Sequence, residues 1–238
     1  MFIKKKILKI ASKNEDQRFV WVSKKLKELS SGLKILDVGS GERPFQKFCG
    51  HLNYVSQDSA KYDGIGDVIG LQTGSWNRDN IDIISDIIKI PEPDNSFDAI
   101  LCTEVIEHVP DPIKALEELT RLLKPGGIII LTAPFISMAH FSPFHFCTGF
   151  NKYFYIEHLK RLGLKIDEIK PSGNFFDVMM QQLITMPSIS KKYSRNFLVF
   201  LQWFFIIPLL LLLKITNRYQ NNSEEILCFE YFVKAIKK

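Results

Sequence analysis

The chain has 238 residues, with 46% apolar and 24% charged side chains, which suits one folded soluble domain large enough to bury a sizeable core. Lys and Arg number 31 against 26 Asp and Glu, for a net charge of +5; this mild excess reads as a solvated basic face, and no nucleic-acid recognition motif accompanies it. Four cysteines at 49, 102, 147 and 228 form no CxxC pair, which excludes a disulfide framework and a cysteine zinc site; the expected compartment is a reducing cytoplasm.

Lys4, Lys5, Lys6 and Lys9 interrupt every apolar stretch near the start, so no signal-peptide core is read. Phe2, Ile3, Ile7 and Ile10 instead fit an amphipathic helix, whose basic residues suit an anionic membrane surface. Phe19, Val20, Val22, Leu26 and Leu29 predict a helix over residues 15–31, ended by Gly32. Strands are predicted at 34–39, 53–57, 81–84, 97–103 and 128–132, with a helix from Pro112 to Leu123 stopped by Lys124-Pro-Gly-Gly127. His158 to Leu162 is helical. Residues 164–169 alternate like an edge strand, and 226–235 read as the final strand. Strands alternating with helices predict a doubly wound, mostly parallel α/β sheet that binds ligands at the carboxyl ends of its strands.

Asp37-Val-Gly39-Ser40-Gly41 follows the first strand. Two glycines let the backbone turn tightly and approach a ligand. The dinucleotide pattern needs a third glycine, and Pro44 occupies that position, so a pyrophosphate ligand is disfavoured while an adenosyl ligand fits. Asp58, 19 residues after Gly39, ends the second strand, where it can accept both ribose hydroxyls. Asp86 follows the third strand and can accept from an adenine amino group. Taken singly, either aspartate also reads as a loop acid or helix cap.

Ile35-Leu-Asp-Val-Gly-Ser-Gly41 resembles the first motif of the class I S-adenosylmethionine-dependent methyltransferases. Ser85 through Val109, with Asp98-Ala-Ile-Leu-Cys-Thr-Glu-Val-Ile-Glu-His108, resembles the third and fourth motifs of the subgroup called methyltransferase type 11, and Leu122-Leu-Lys-Pro-Gly-Gly127 resembles its turn before the fifth strand. The resemblance covers residues 30–135 well. It implies S-adenosylmethionine as cofactor and a seven-stranded sheet whose last strand is antiparallel. Carried over by position, Gly39, Ser40 and Gly41 wrap the cofactor's amino-acid part, Asp37 orients that loop, Asp58 holds the ribose, Asp86 the adenine, and Thr103 and Glu104 border the methionine portion. Ser56-Gln57 before Asp58, and Glu42-Arg43-Pro44 after Gly41, depart from the usual pattern.

Methyl transfer to a hydroxyl or ammonium acceptor also requires a base. His108 lies just after the fourth strand. His140 and His145 lie in the aromatic stretch after the fifth. Each reads either as that base or as a packing or bracing histidine. No GxSxG elbow and no metal-ligand constellation is read.

Phe197 to Leu213 is 17 residues without a charge, between Lys191-Lys192 and Lys214. As a helix it is about 25 Å long, short for a span. If 226–235 completes the sheet, one crossing strands it on the wrong side of the membrane. The organisation expected is therefore a single domain over 1–238, with an N-terminal helical region at 1–31 and an apolar insertion at 171–225. That insertion lies on a membrane surface or packs against a homodimer partner or the core. The implied function is methyl transfer to a small-molecule, glycan or lipid-linked acceptor, in the cytoplasm or at the inner face of the membrane. The alternative is a non-catalytic cofactor-binding scaffold or membrane-associated partner protein.

Overall fold

The structure, a computed structural model, describes residues 10, 12–194 and 197–238. Phe2, Ile3, Ile7 and the lysines at 4, 5, 6 and 9 lie outside the described residues. The chain forms two compact units, one of residues 18–170 with 230–238, the other of the residues up to 17 with 171–229.

The first unit is built on strands β1 (Lys34–Val38), β2 (Asn53–Asp58), β3 (Ile83–Ile84), β4 (Phe97–Thr103), β5 (Leu123–Pro134), β6 (Leu164–Ser172) and β7 (Glu230–Lys237). They form one sheet in the order β3-β2-β1-β4-β5-β7-β6. β1 to β5 pair in parallel, and β7 runs antiparallel to β5 from Ile128↔Ile236 to Pro134↔Glu230. This is the doubly wound α/β architecture expected. β1 and β4 read as unbroken apolar runs because both their faces are covered: Ile35, Leu36, Ala99, Ile100, Leu101 and Cys102 are all fully buried.

Helix α1 (Lys13–Lys27) presents Trp21, Val22 and Leu26 to Ile35, Phe45, Leu101, Ile130 and Phe232. Trp21 stacks on Phe232 at 4.9 Å and donates its indole N–H to Glu168 at 3.0 Å. The helix ends before the predicted residue 31, because buried Leu29 and the Gly32 amide, bonded to the His51 carbonyl at 2.8 Å, turn the chain toward β1. Helix α2 (Pro112–Leu122) has Pro112 in its first turn and is capped by the Asp111 side chain, which accepts from the Lys114 amide; the cap contributes about 1 kcal/mol. Its buried residues Ala115, Leu116, Leu119 and Leu122 recur at helical spacing. β5 starts earlier than predicted, since Leu123 already pairs with Phe97. Helix α3 (Lys152–Arg161) is capped by Asn151, which accepts from the Tyr153 and Phe154 amides.

The second unit carries helix α4 (Phe175–Tyr193), a 3-10 turn at Phe197–Leu201, and helix α5 (Gln202–Thr216). Its base is polar: Asp177 accepts from Asn217 at 3.0 Å and pairs with Lys13 at 2.6 Å, and Asn174 donates to Asn217 at 2.8 Å. Phe229 N–H closes the stem on the Ser172 carbonyl at 2.8 Å. Ile206 and Leu210 of α5 are buried with Met180 of α4, whereas Phe204 and Phe205 are 74% and 71% exposed. Val199–Tyr219 is long and apolar enough to cross a membrane by length and composition.

Candidate functional site

The turn after β1 is held open by backbone geometry. Gly39 and Gly41 have φ of +60° and +49°, values that side-chain-bearing residues rarely adopt. A Cβ on Gly39 would stand 2.5 Å from Val105 Cγ2, and one on Gly41 2.5 Å from Trp76 Cζ2. Hydrogen bonds from β2 fix the turn. Ser40 N–H donates to the Gln57 carbonyl at 2.9 Å, Gly39 N–H to Gln57 Oε1 at 3.4 Å, and Gly41 N–H to Asp58 Oδ2 at 3.0 Å. Buried Gln57 in turn donates to the Ser85 carbonyl at 2.7 Å, tying the turn to the end of β3. The unusual glutamine before Asp58 thus joins three strand ends.

Four expected cofactor contacts fall at these strand ends. Ser40 Oγ is buried without a hydrogen-bond partner among the described residues. Asp58 accepts from Gly41 and from Ala60 N–H at 2.8 Å. Asp37, 2% exposed, accepts from Tyr54 Oη at 2.5 Å; burial pushes its carboxyl up to about 7, the Tyr54 bond opposes this, and the Asp58 charge adds to it. Asp86 is exposed and faces Lys61 Nζ at 3.5 Å. The remaining pair behaves differently. Thr103 is the last residue of β4, and Glu104 takes a left-handed φ of +55°. Its carboxylate accepts from Thr132 Oγ1 at 3.0 Å and pairs with Arg18 at 2.7 Å.

Arg18 also reaches buried Glu230 at 3.3 Å. Burial works against the guanidinium charge, but Glu104 and Glu230 outweigh it and hold Arg18 above its ordinary range. Burial, with the neighbouring Glu104 charge, drives the Glu107 and Glu230 carboxyls well above the usual carboxylate range.

Two loops roof this end of the sheet. Residues 59–80 lie along residues 135–150: Leu71 N–H donates to the Ala139 carbonyl at 2.9 Å, Phe141 N–H to the Leu71 carbonyl at 3.0 Å, and Asp67 N–H to the Ser142 carbonyl at 3.1 Å. Gly70 is required because a Cβ there would collide with the Ala139 carbonyl. An aromatic wall runs through the junction. Trp76 packs on Gly41 and meets Phe141 at 5.4 Å; Phe141 stacks on Tyr62 at 4.4 Å and on His108 at 5.1 Å. His140 sits edge-on to His108 at 4.7 Å and 4.6 Å from His145. The three histidines flagged in the sequence therefore form one cluster. His108 is pushed down to about 3 by burial and then by His140; burial and His140 also lower His145.

Sequence reasoning did not single out Arg18, Tyr62, Trp76 or Glu230. Glu107 entered only as part of the run just after the fourth strand. The structure places the Glu107 carboxylate 3.7 Å from His108 Nε2. The run Glu104-Val-Ile-Glu107-His108 was the available signal.

The sequence pattern of a family described as methyltransferase domain matches residues 5–167. The ubiquinone biosynthesis O-methyltransferase of Leptothrix cholodnii is 29% identical over 121 residues, covering 48% of this chain and 49% of that protein. The demethylmenaquinone methyltransferase of Staphylococcus saprophyticus is 31% identical over 109 residues, covering 41% and 47%. The chain thus spans about half the length of the curated relatives it matches. Among solved structures, a SAM-dependent methyltransferase from Archaeoglobus fulgidus superposes with a TM-score of 0.53 at 17% identity, over 91% of this chain and 93% of that one, a likeness of fold.

Proposed function

The chain belongs to the class I S-adenosylmethionine-dependent methyltransferases, and from that premise we propose that it methylates an apolar, lipid-soluble small molecule. The observation that carries this reading is the aromatic wall from Trp76 through Phe141 to His108, which begins on the glycine turn and ends on three imidazoles. A flat apolar acceptor fits such a wall better than a sugar, which needs many polar partners.

The residues of the turn fit the cofactor. Gly39 and Gly41 leave no room for a Cβ, and the buried Ser40 hydroxyl lacks a partner. Gly39, Ser40 and Gly41 would hold its amino-acid part, and Asp37 would orient that turn. Asp58 would hold the ribose, Asp86 the adenine, and Thr103 the methionine side. Glu104 contributes through Arg18 and Thr132. When bound, the cofactor supplies an electrophilic methyl group on sulfur. The chain's own work is alignment, exclusion of water under the 59–80 and 135–150 loops, and removal of the acceptor's proton by the imidazole cluster.

The names of the quinone-pathway relatives support a lipid-soluble acceptor. So does the exposed apolar face of α5 between Lys191-Lys192 and Lys214-Arg218. The protein is accordingly proposed to work peripherally at the inner face of the membrane.

Calorimetric titration with S-adenosylmethionine, S-adenosylhomocysteine and NAD tests the cofactor. Saturable binding of the first two and none of NAD is expected. Preference for NAD, or no binding by folded protein, overturns the reading. Methyl transfer to hydroxylated aromatic lipids and none to sugars tests the acceptor.

A further inference from the structure

We propose that Glu107, His108 and His140 together hold one divalent first-row transition-metal ion, of the class of zinc or ferrous iron, beside the acceptor. Each of these side chains offers one ligand atom, and the three atoms lie within 4.8 Å of one another. Glu107 and His108 come from the turn after β4 (Ile106–His108), and His140 comes from the loop after β5. The ligands therefore converge from two elements, which no spacing along the sequence displays.

The hydrogen bonds decide which nitrogen each histidine offers. His108 Nδ1 lies 2.6 Å from the Phe144 carbonyl, and His140 Nδ1 lies 2.8 Å from the Met138 carbonyl. A carbonyl can only accept, so both Nδ1 atoms carry the proton and both Nε2 atoms carry a lone pair. Metal-binding histidines are held in this way by the partner of their second nitrogen.

The third ligand needs an explanation in any case. Glu107 is fully buried, and neither carboxylate oxygen has a hydrogen-bond partner among the described residues; the same is true of His108 Nε2. Buried polar groups left unmet are costly and rare. At 3.7 Å the two do not bond directly, and a lone pair on Nε2 faces a carboxylate oxygen. A cation between them meets His108 Nε2 and one of the two Glu107 oxygens. At about 2.1 Å from each ligand it draws them inward by about 1 Å, which His140, half-buried on a loop, can accommodate.

Two imidazoles and one carboxylate select a borderline transition ion over magnesium or calcium. Three protein ligands leave a coordination position open, the pattern of catalytic sites. This deepens the methyltransferase reading and rests on it. A hydroxyl oxygen of the acceptor takes the open position, coordination lowers its pKa, and its proton passes to a base or water. His108 and His140 then act as ligands, not as bases.

The test uses the full chain, stripped with chelator and titrated with zinc by calorimetry and with cobalt by visible absorption. One equivalent is expected, with cobalt bands of nitrogen and oxygen ligation. His140→Ala should weaken uptake at least about tenfold, Glu107→Gln likewise, and His51→Ala, outside the cluster, not at all. His140→Ala alone decides the matter if Glu107→Gln does not fold. No uptake by folded wild type, or uptake unchanged in His140→Ala, overturns the proposal. S-adenosylmethionine titrated into the same samples keeps the two readings apart: cofactor binding without metal uptake sinks only the metal site, and metal uptake without cofactor binding sinks the methyltransferase reading.

Discussion

The Gly41 amide donates to the Asp58 carboxylate at 3.0 Å, across the gap between the β1 turn and the end of β2. One carboxylate thus sets the shape of the glycine turn and stands where a ribose would be held. Its second oxygen is occupied by the Ala60 amide at 2.8 Å, so a ligand hydroxyl must use the remaining lone pairs.

Asp58→Ala removes both roles. Charge-assisted hydrogen bonds contribute about 1.5–3 kcal/mol, so S-adenosylmethionine affinity should fall roughly 10- to 150-fold in calorimetry. Asp58→Asn keeps an oxygen acceptor for the turn and should lose less. Equal affinity of wild type and Asp58→Ala would remove Asp58 from the site.

Asp37 gives the apo protein a pH dependence. Its folded pKa stands at about 7, above the ordinary 3.8. Between those values the folded state binds the proton that the unfolded state has released, so stability falls as pH rises from about 4 to 7. Asp37→Asn cannot titrate. The stability of wild type relative to Asp37→Asn should therefore decline across that window, by an amount on the order of a few kcal/mol, and level off above pH 7. Urea denaturation of both proteins at pH 4.5, 6 and 7.5 measures this. A constant difference would show that Asp37 is ionised throughout.

Much of the sheet was legible in the sequence because β1, β4 and β5 are buried on both faces and read as plain apolar runs between turn signals. The glycine turn was legible for the same reason: its position follows β1 directly. The end of the sheet was less so. Ile226 and Leu227 extend the apolar run of β7, yet Ser223–Glu225 form a 3-10 turn and Ile226 is 74% exposed, so the strand begins at Glu230. The roof was hidden because its order comes from pairing between distant loops. Nothing periodic in residues 59–80 announces that Leu71 will bond to Ala139, or that Trp76 will reach Phe141. The apolar spacing of its helix says nothing of Arg18, and only the sheet order brings Glu104 and Glu230 to it.

Arg18→Met tests that cluster. Glu230 is 1% exposed and loses its counter-charge, a change that typically costs about 3–5 kcal/mol. The loss should shrink at acid pH, where Glu230 protonates readily because burial already holds its carboxyl high. Adding Glu230→Gln to Arg18→Met should restore most of the stability. A single variant as stable as wild type at pH 7.5 would mean that water reaches the cluster.

The outer face of α5 sets the last prediction. Phe204, Phe205 and Leu211 are 74%, 71% and 60% exposed, while Ile206 and Leu210 pack with Met180. Lys191 and Lys192 precede this stretch, and Lys214 and Arg218 follow it. An apolar face with basic residues at both ends suits a helix lying in the plane of one leaflet, each end at headgroup level. Phe229 meets Ser172 at the stem, so the chain leaves and returns at one point, which a single crossing does not permit. Wild type should sediment with phosphatidylglycerol vesicles and less with phosphatidylcholine, and added salt should weaken the former. Phe204→Glu with Phe205→Glu should abolish sedimentation without altering cofactor affinity. If wild type ignores vesicles but is a dimer that the double variant dissociates, the same face covers a second copy of the chain instead.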